Sequence, residues 1–152
     1  MKKTVFLLVV TICVFSLIGC DFDAPLRNKM LPYYENDQSY GKLEGTILSV
    51  EYSKDLDELF LKIIADGTNP EFEEKSRTEG YMRFVLVHWS EYAFPLEEGD
   101  TVVFTSAPMY FYNGHVWPIV RLEKEGVEYL SFFEGKANYL RWIEEHFGSP
   151  SR

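Results

Sequence analysis

The sequence predicts a mainly β fold: a small antiparallel barrel or curved sheet with one C-terminal helix. Three observations predict it. Between residues 42 and 133, runs of β-branched and aromatic residues alternate with turn-formers, giving about six strands. One of these runs, "YMRFVLVHW", is apolar on both faces, as a strand covered on both sides must be. Past residue 135 the apolar period lengthens from that of a strand to that of a helix.

The first strand falls on "KLEGTILSVEY", with a bulge or bend expected at Gly45. In "DELFLKIIAD", Leu59, Leu61, Ile63 and Ala65 share one face, while Glu58 and Lys62 lie on the other. "SKDLD" between these strands reads as a hairpin turn, and "GTNPEFEEKSRTEG" as a long polar loop with solvated charges. "YMRFVLVHW" is the third strand, "SEYAFPLEEGD" a connector, and "TVVFTSA" the fourth strand, ended by Pro108. In "FYNGHVW", Asn113-Gly114 supplies the two positive φ angles of a type I′ turn, with Tyr112 opposite His115. A second turn at "EKEG" leads into "VEYLSFF". In "KANYLRWIEEHFG", Leu140, Ile143 and Phe147 fall at helical spacing beside a stripe of Tyr139, Trp142 and His146. Gly148 and Pro150 stop the helix.

The N-terminus follows a different logic. Lys2 and Lys3 precede an apolar run from Val5 to Ile18, which is shorter than the roughly 20 residues a bilayer-spanning helix needs. A positive head, a short apolar run and a small residue at its end describe a secretory signal. Residues 1–19 are read as that signal, 20–40 as a tether, 41–148 as a single β-rich domain and 149–152 as a tail.

Leu17-Ile18-Gly19-Cys20 resembles the signal of bacterial lipoproteins at each position. The resemblance covers residues 1–20 and implies a diacylglyceryl thioether on Cys20, cleavage between Gly19 and Cys20, and an acylated new amine. Stable anchoring takes two acyl chains, which a diacylglyceryl group supplies. The implied location is a bacterial membrane, outside the cytoplasm: the outer face of the cell membrane, or the periplasm. In enteric Gram-negative bacteria, Asp at the position of Asp21 implies retention on the inner membrane.

The strand series with "LEEGDTVVF" resembles small barrels such as the oligonucleotide/oligosaccharide-binding folds, in which Gly-Asp opens the strand after the third-strand connector. That resemblance spans roughly residues 42–133. It departs from the class in the connector at 90–100, which is short for the helix those barrels often place there. A β-sandwich is the alternative.

The formal net charge of −9 argues against a nucleic-acid partner, whose usual footprint is a basic patch. It also argues against electrostatic attachment to anionic lipid, so the lipid on Cys20 has to supply the anchoring. Cys13 lies in the signal and Cys20 is the anchor, so no disulfide, thiolate metal site or cysteine nucleophile is expected. His88, His115 and His146 show no zinc spacing, and neither a G-x-S-x-G elbow nor a phosphate loop is present. Glu73-Glu74, Glu97-Glu98 and Glu144-Glu145 read as solvated surface charge. No cofactor and no metal are expected.

What remains is aromatic. Tyr110, Phe111, Tyr112 and Trp117 crowd one hairpin, and Tyr110, Tyr112 and Trp117 form the candidate binding patch for a glycan or protein partner. The expected function is a lipid-anchored, non-catalytic binding or adaptor domain with an envelope protein or glycan partner. A cell-wall carbohydrate module and an enzyme built on scattered carboxylates and one histidine are the alternatives.

Overall fold

A computed structural model describes residues 32–67, 80–108 and 116–147. Six strands carry the fold: β1 (Gly41–Ser53), β2 (Glu58–Gly67), β3 (Met82–Val87), β4 (Thr101–Ser106), β5 (Val116–Lys124) and β6 (Val127–Leu130). A single long helix, α1 (Phe132–Phe147), follows. The sheet order is β3-β2-β1-β4-β5-β6, and an added β3–β5 pairing closes β1 to β5 into a barrel, with β6 as an extra strand on β5.

Every neighbouring pair is antiparallel except β3–β5. Alternating directions cannot close a ring of five, so one pair has to run parallel. That seam matches Arg83, Phe84 and Val85 to Val116, Trp117 and Pro118. The order and the parallel closure are those of the OB-like barrel class.

Alternation fills the interior. Leu59, Leu61, Ile63 and Ala65 all point inward, as their spacing requires. Phe84 and Phe104 meet edge to face in the centre, ring centroids 4.8 Å apart. The connector after β3 holds a 3-10 turn, Trp89–Glu91, in place of a helix. It closes one end of the barrel with aromatic rings: Trp89 lies 4.9 Å from Phe94, which lies 5.2 Å from Tyr129.

Two local details differ from the sequence reading, and the turn at "EKEG" gains a type. Gly45 pairs in regular register with Ala65, and the β1 irregularity falls between Ile47 and Ser49. Glycine is needed at 45 for space, since a Cβ there would sit 2.4 Å from the Ile64 carbonyl oxygen. The last strand stops at Leu130, and Phe132 already belongs to α1. There the Ser131 hydroxyl donates to the Glu134 carboxylate at 2.6 Å and accepts from the Glu134 amide, an N-cap that starts the helix despite the β preference of two phenylalanines. The β5–β6 turn is a two-residue one, with Glu125 and Gly126 both at positive φ (54° and 77°), as a type I′ turn requires.

The helix lies on the outside of the seam. A second apolar layer joins Val85 and Val87 of β3, Val116 and Val120 of β5, and Tyr139, Trp142 and Ile143 of α1. This explains why "YMRFVLVHW" is apolar on both faces. The buried helix face runs through Tyr139, Trp142 and Ile143, with Leu140 at its margin and His146 exposed. Gly135 sets the spacing: a Cβ there would stand 2.0 Å from the Val120 carbonyl oxygen.

Gly135→Ala tests that contact. Alanine is the better helix former by about 1 kcal/mol, yet the substitution should destabilise the fold by roughly 1–3 kcal/mol because the helix must lift off β5. A thermal midpoint that stays level or rises would contradict the close approach.

Candidate binding site and the layer beneath the helix

The candidate patch does not assemble as the alternation of a surface hairpin suggests. Trp117 is 4% exposed and belongs to the barrel interior, matched with Phe84 across the seam. Strand β5 is buried on both faces there, with Trp117 inward and Val116 under the helix, so Trp117 contributes no exposed ring. Tyr110 and Tyr112, with Phe111, the Asn113-Gly114 turn and His115, lie outside the described residues, as do Cys20 and Glu73-Glu74. Glu97-Glu98 and Glu144-Glu145 are exposed, on a turn and on α1.

The layer under α1 holds polar chemistry that alternation alone does not reveal. Glu58 lies on the face of β2 opposite Leu59 and Leu61, and it is wholly buried there. Its carboxylate accepts from the Trp142 indole N–H at 2.9 Å. The Trp142 ring stacks on His146 at 4.2 Å and on Tyr139 at 6.3 Å. Tyr139 in turn receives the edge of Tyr34 at 5.4 Å.

Tyr34 comes from residues 32–40, the distal end of the expected tether. Residues 32–35 are helical, Asp37–Ser39 is a 3-10 turn, and Asn36 caps it by accepting from the Gln38 amide. Tyr34 is 1% exposed, whereas Tyr33 is 59% exposed. The Tyr40 hydroxyl donates to the Tyr34 carbonyl at 2.6 Å, and its ring meets Phe132 edge to face. Lys136 completes the clasp: it donates to the Glu35 carbonyl and to Asp37, and its ammonium sits over the Tyr40 and Phe132 rings.

Burial pushes the Tyr34 hydroxyl up to about 12 against the lowering effect of its hydrogen bond with Tyr139, and pushes Tyr139 well above the ordinary phenol value. Tyr92 is raised to about 12 by burial and by the Glu91 charge. Tyr40 is raised by burial and by Asp37.

A polar cluster gathers where the β1–β2 turn meets the 88–91 turn and the end of α1. Asp57, at φ 54°, accepts from the Ser90 amide (2.9 Å), the Ser90 hydroxyl (2.7 Å) and the Tyr52 hydroxyl (3.2 Å). Burial alone would raise its carboxyl; the Ser90 and Tyr52 hydrogen bonds and the nearby His88 outweigh that and lower it. His88, also left-handed at φ 52°, places Nε2 3.3 Å from Glu145, and Arg141 pairs with Glu91. The residue types of an acyl-transfer triad are therefore present with different wiring. Ser90 donates to the carboxylate directly, and His88 faces Glu145. Sequence reasoning missed Asp57 and Ser90, whose only signal was a turn carboxylate and a connector serine.

Among the described residues, no group of three or more His, Cys, Asp or Glu side chains is placed to hold a metal ion. Among the same residues, no helix is long and apolar enough to cross a membrane.

Two measurements probe this layer. Trp142→Phe keeps a ring and removes the donor to Glu58, at an expected cost of about 1–3 kcal/mol in denaturant unfolding. In a Glu58→Gln background the same change should cost less; equal costs would mean the pair is uncoupled. Alkaline titration is the second. Tyr34 and Tyr92 are raised in the folded chain, so their contribution is complete below the free phenol value near 10 and is lost as pH climbs toward about 12. Their tyrosinate absorbance should appear together with unfolding. Full ionisation of the tyrosines in an intact fold would contradict the burial.

No family model matches the chain, and no curated protein or solved structure matches it either.

Proposed function

We propose that this protein is a lipid-anchored lipoprotein held outside the cytoplasm, whose barrel is a non-catalytic binding or adaptor domain. The observation that carries the reading is Leu17-Ile18-Gly19-Cys20 behind a charged head and a short apolar run. Diacylation of Cys20 gives the two chains that stable anchoring takes. The acidic chain, at −9, gains little from anionic lipid, so the thioether is the attachment.

The binding half of the proposal draws on topology. Residues 107–115, which include Tyr110 and Tyr112, join β4 to β5. In OB-type barrels that loop is one of those that contact ligands. This is an analogy of fold, and the partner's chemistry comes from the two tyrosines. With Trp117 committed to the interior, they are what remains of the patch.

Cys20→Ala is the test of the anchor: lipid labelling and signal cleavage should both disappear, and persistent labelling would refute the assignment. For the domain, a photo-crosslinker at Tyr112 in cells should give one discrete protein adduct. Glycan adducts would favour the wall-carbohydrate reading instead, and absence of adducts would count against a binding loop.

A further inference from the structure

Residues 32–40 form a unit of their own. They pair with no strand, because β1 begins at Gly41. Positions 32, 33 and 35–38 are exposed, and the segment is held through Tyr34, buried in the apolar layer under α1, through Tyr40 at the margin of that layer, and through Lys136. Removing the segment leaves the strands paired and leaves α1 seated through Trp142, Ile143 and the Gly135–Val120 approach. Such a piece opens at a lower free energy than the barrel beneath it.

We propose that residues 32–40 are a releasable strap that gives the link between Cys20 and the barrel two lengths. Seated, the strap fixes the chain to α1 from Pro32 onward. Released, the link runs on to Gly41. At ~3.5 Å per residue, Cys20 can stand at most about 40 Å from Pro32, and at most about 70 Å from Gly41. The role rests on the anchoring reading: with a lipid at Cys20, opening the strap lets the barrel work farther from the membrane surface.

Hydrogen exchange on the full mature chain, recovered from membranes into detergent, reads the strap directly. The Ser39 and Tyr40 amides donate within the segment, to Asn36 and Asp37. The Ile47 amide donates to Asp100 in the barrel, and the Gly135 amide to Ser131 at the start of α1. Ser39 and Tyr40 should exchange roughly ten-fold or more faster than Ile47. Tyr34→Ala should accelerate them by a further ten-fold or so while Ile47 and Gly135 keep their rates. Lys136→Gln, which leaves the buried layer intact, should do the same more weakly. Exchange of the strap in step with Ile47, or equal acceleration of all four amides, overturns the strap even on a lipidated chain. The mass of the same preparation reports the anchor: a Cys20 without lipid overturns the two-length role through the anchoring reading, whatever the strap amides do.

Discussion

The parallel seam between β3 and β5 is the constraint on which the rest of the structure depends. An odd ring cannot alternate, and this one places its single parallel pair over three residues of each strand. Parallel strands are stable when covered on both faces. Phe84 and Trp117 cover the inner face, and α1 covers Val85, Val116 and Val120 on the outer one. The helix is therefore part of barrel closure. Its Ser131 cap starts it at the end of β6, and its glycine at 135 lets it lie close on β5.

The same helix ties together two stretches of chain that lie outside the sheet. Its first turns hold residues 32–40 through Lys136. Asn138 donates to the Tyr92 hydroxyl and Arg141 pairs with Glu91, which fixes the aromatic connector over the barrel end. One element thus secures the seam, the end closure and the N-terminal segment. Lys124 does similar work on the far side, where its ion pair with Asp100 at 2.8 Å joins the end of β5 to the start of β4.

Much of the barrel was legible because strands announce themselves locally. Leu59, Leu61, Ile63 and Ala65 needed only a period of two, and the double-sided apolar run of β3 needed only composition. The parts that were hidden depend on distant residues. Glu58 sits on the face that alternation assigns to it, but that face is covered by Trp142, 84 residues away in sequence. Trp117 read as hairpin surface because its neighbours are aromatic; the seam with β3 that sets it against Phe84 inside the barrel cannot be seen from "FYNGHVW". Phe132 and Phe133 read as strand, although Ser131 and Glu134 already spelled a helix start. Gly45 was noticed for the freedom of its backbone, when the need was for room beside Ile64. At the candidate site, the Asp57–Ser90 contact was not legible, since its partners are 33 residues apart.

The position of the helix in the chain has a consequence for how the molecule is made. Phe132–Phe147 is the last element of the described fold to leave the ribosome. Until it does, Val85, Val87, Val116 and Val120 present a bare apolar strip, and the short parallel pairing lacks one of its two covers. Pairing Arg83 with Val116 is also a long-range closure, which is slow relative to hairpin formation. A nascent chain truncated before residue 132 can form the β1–β2 hairpin and yet stay open. Completion of the barrel is thereby coupled to the arrival of α1, whatever strands have paired before it.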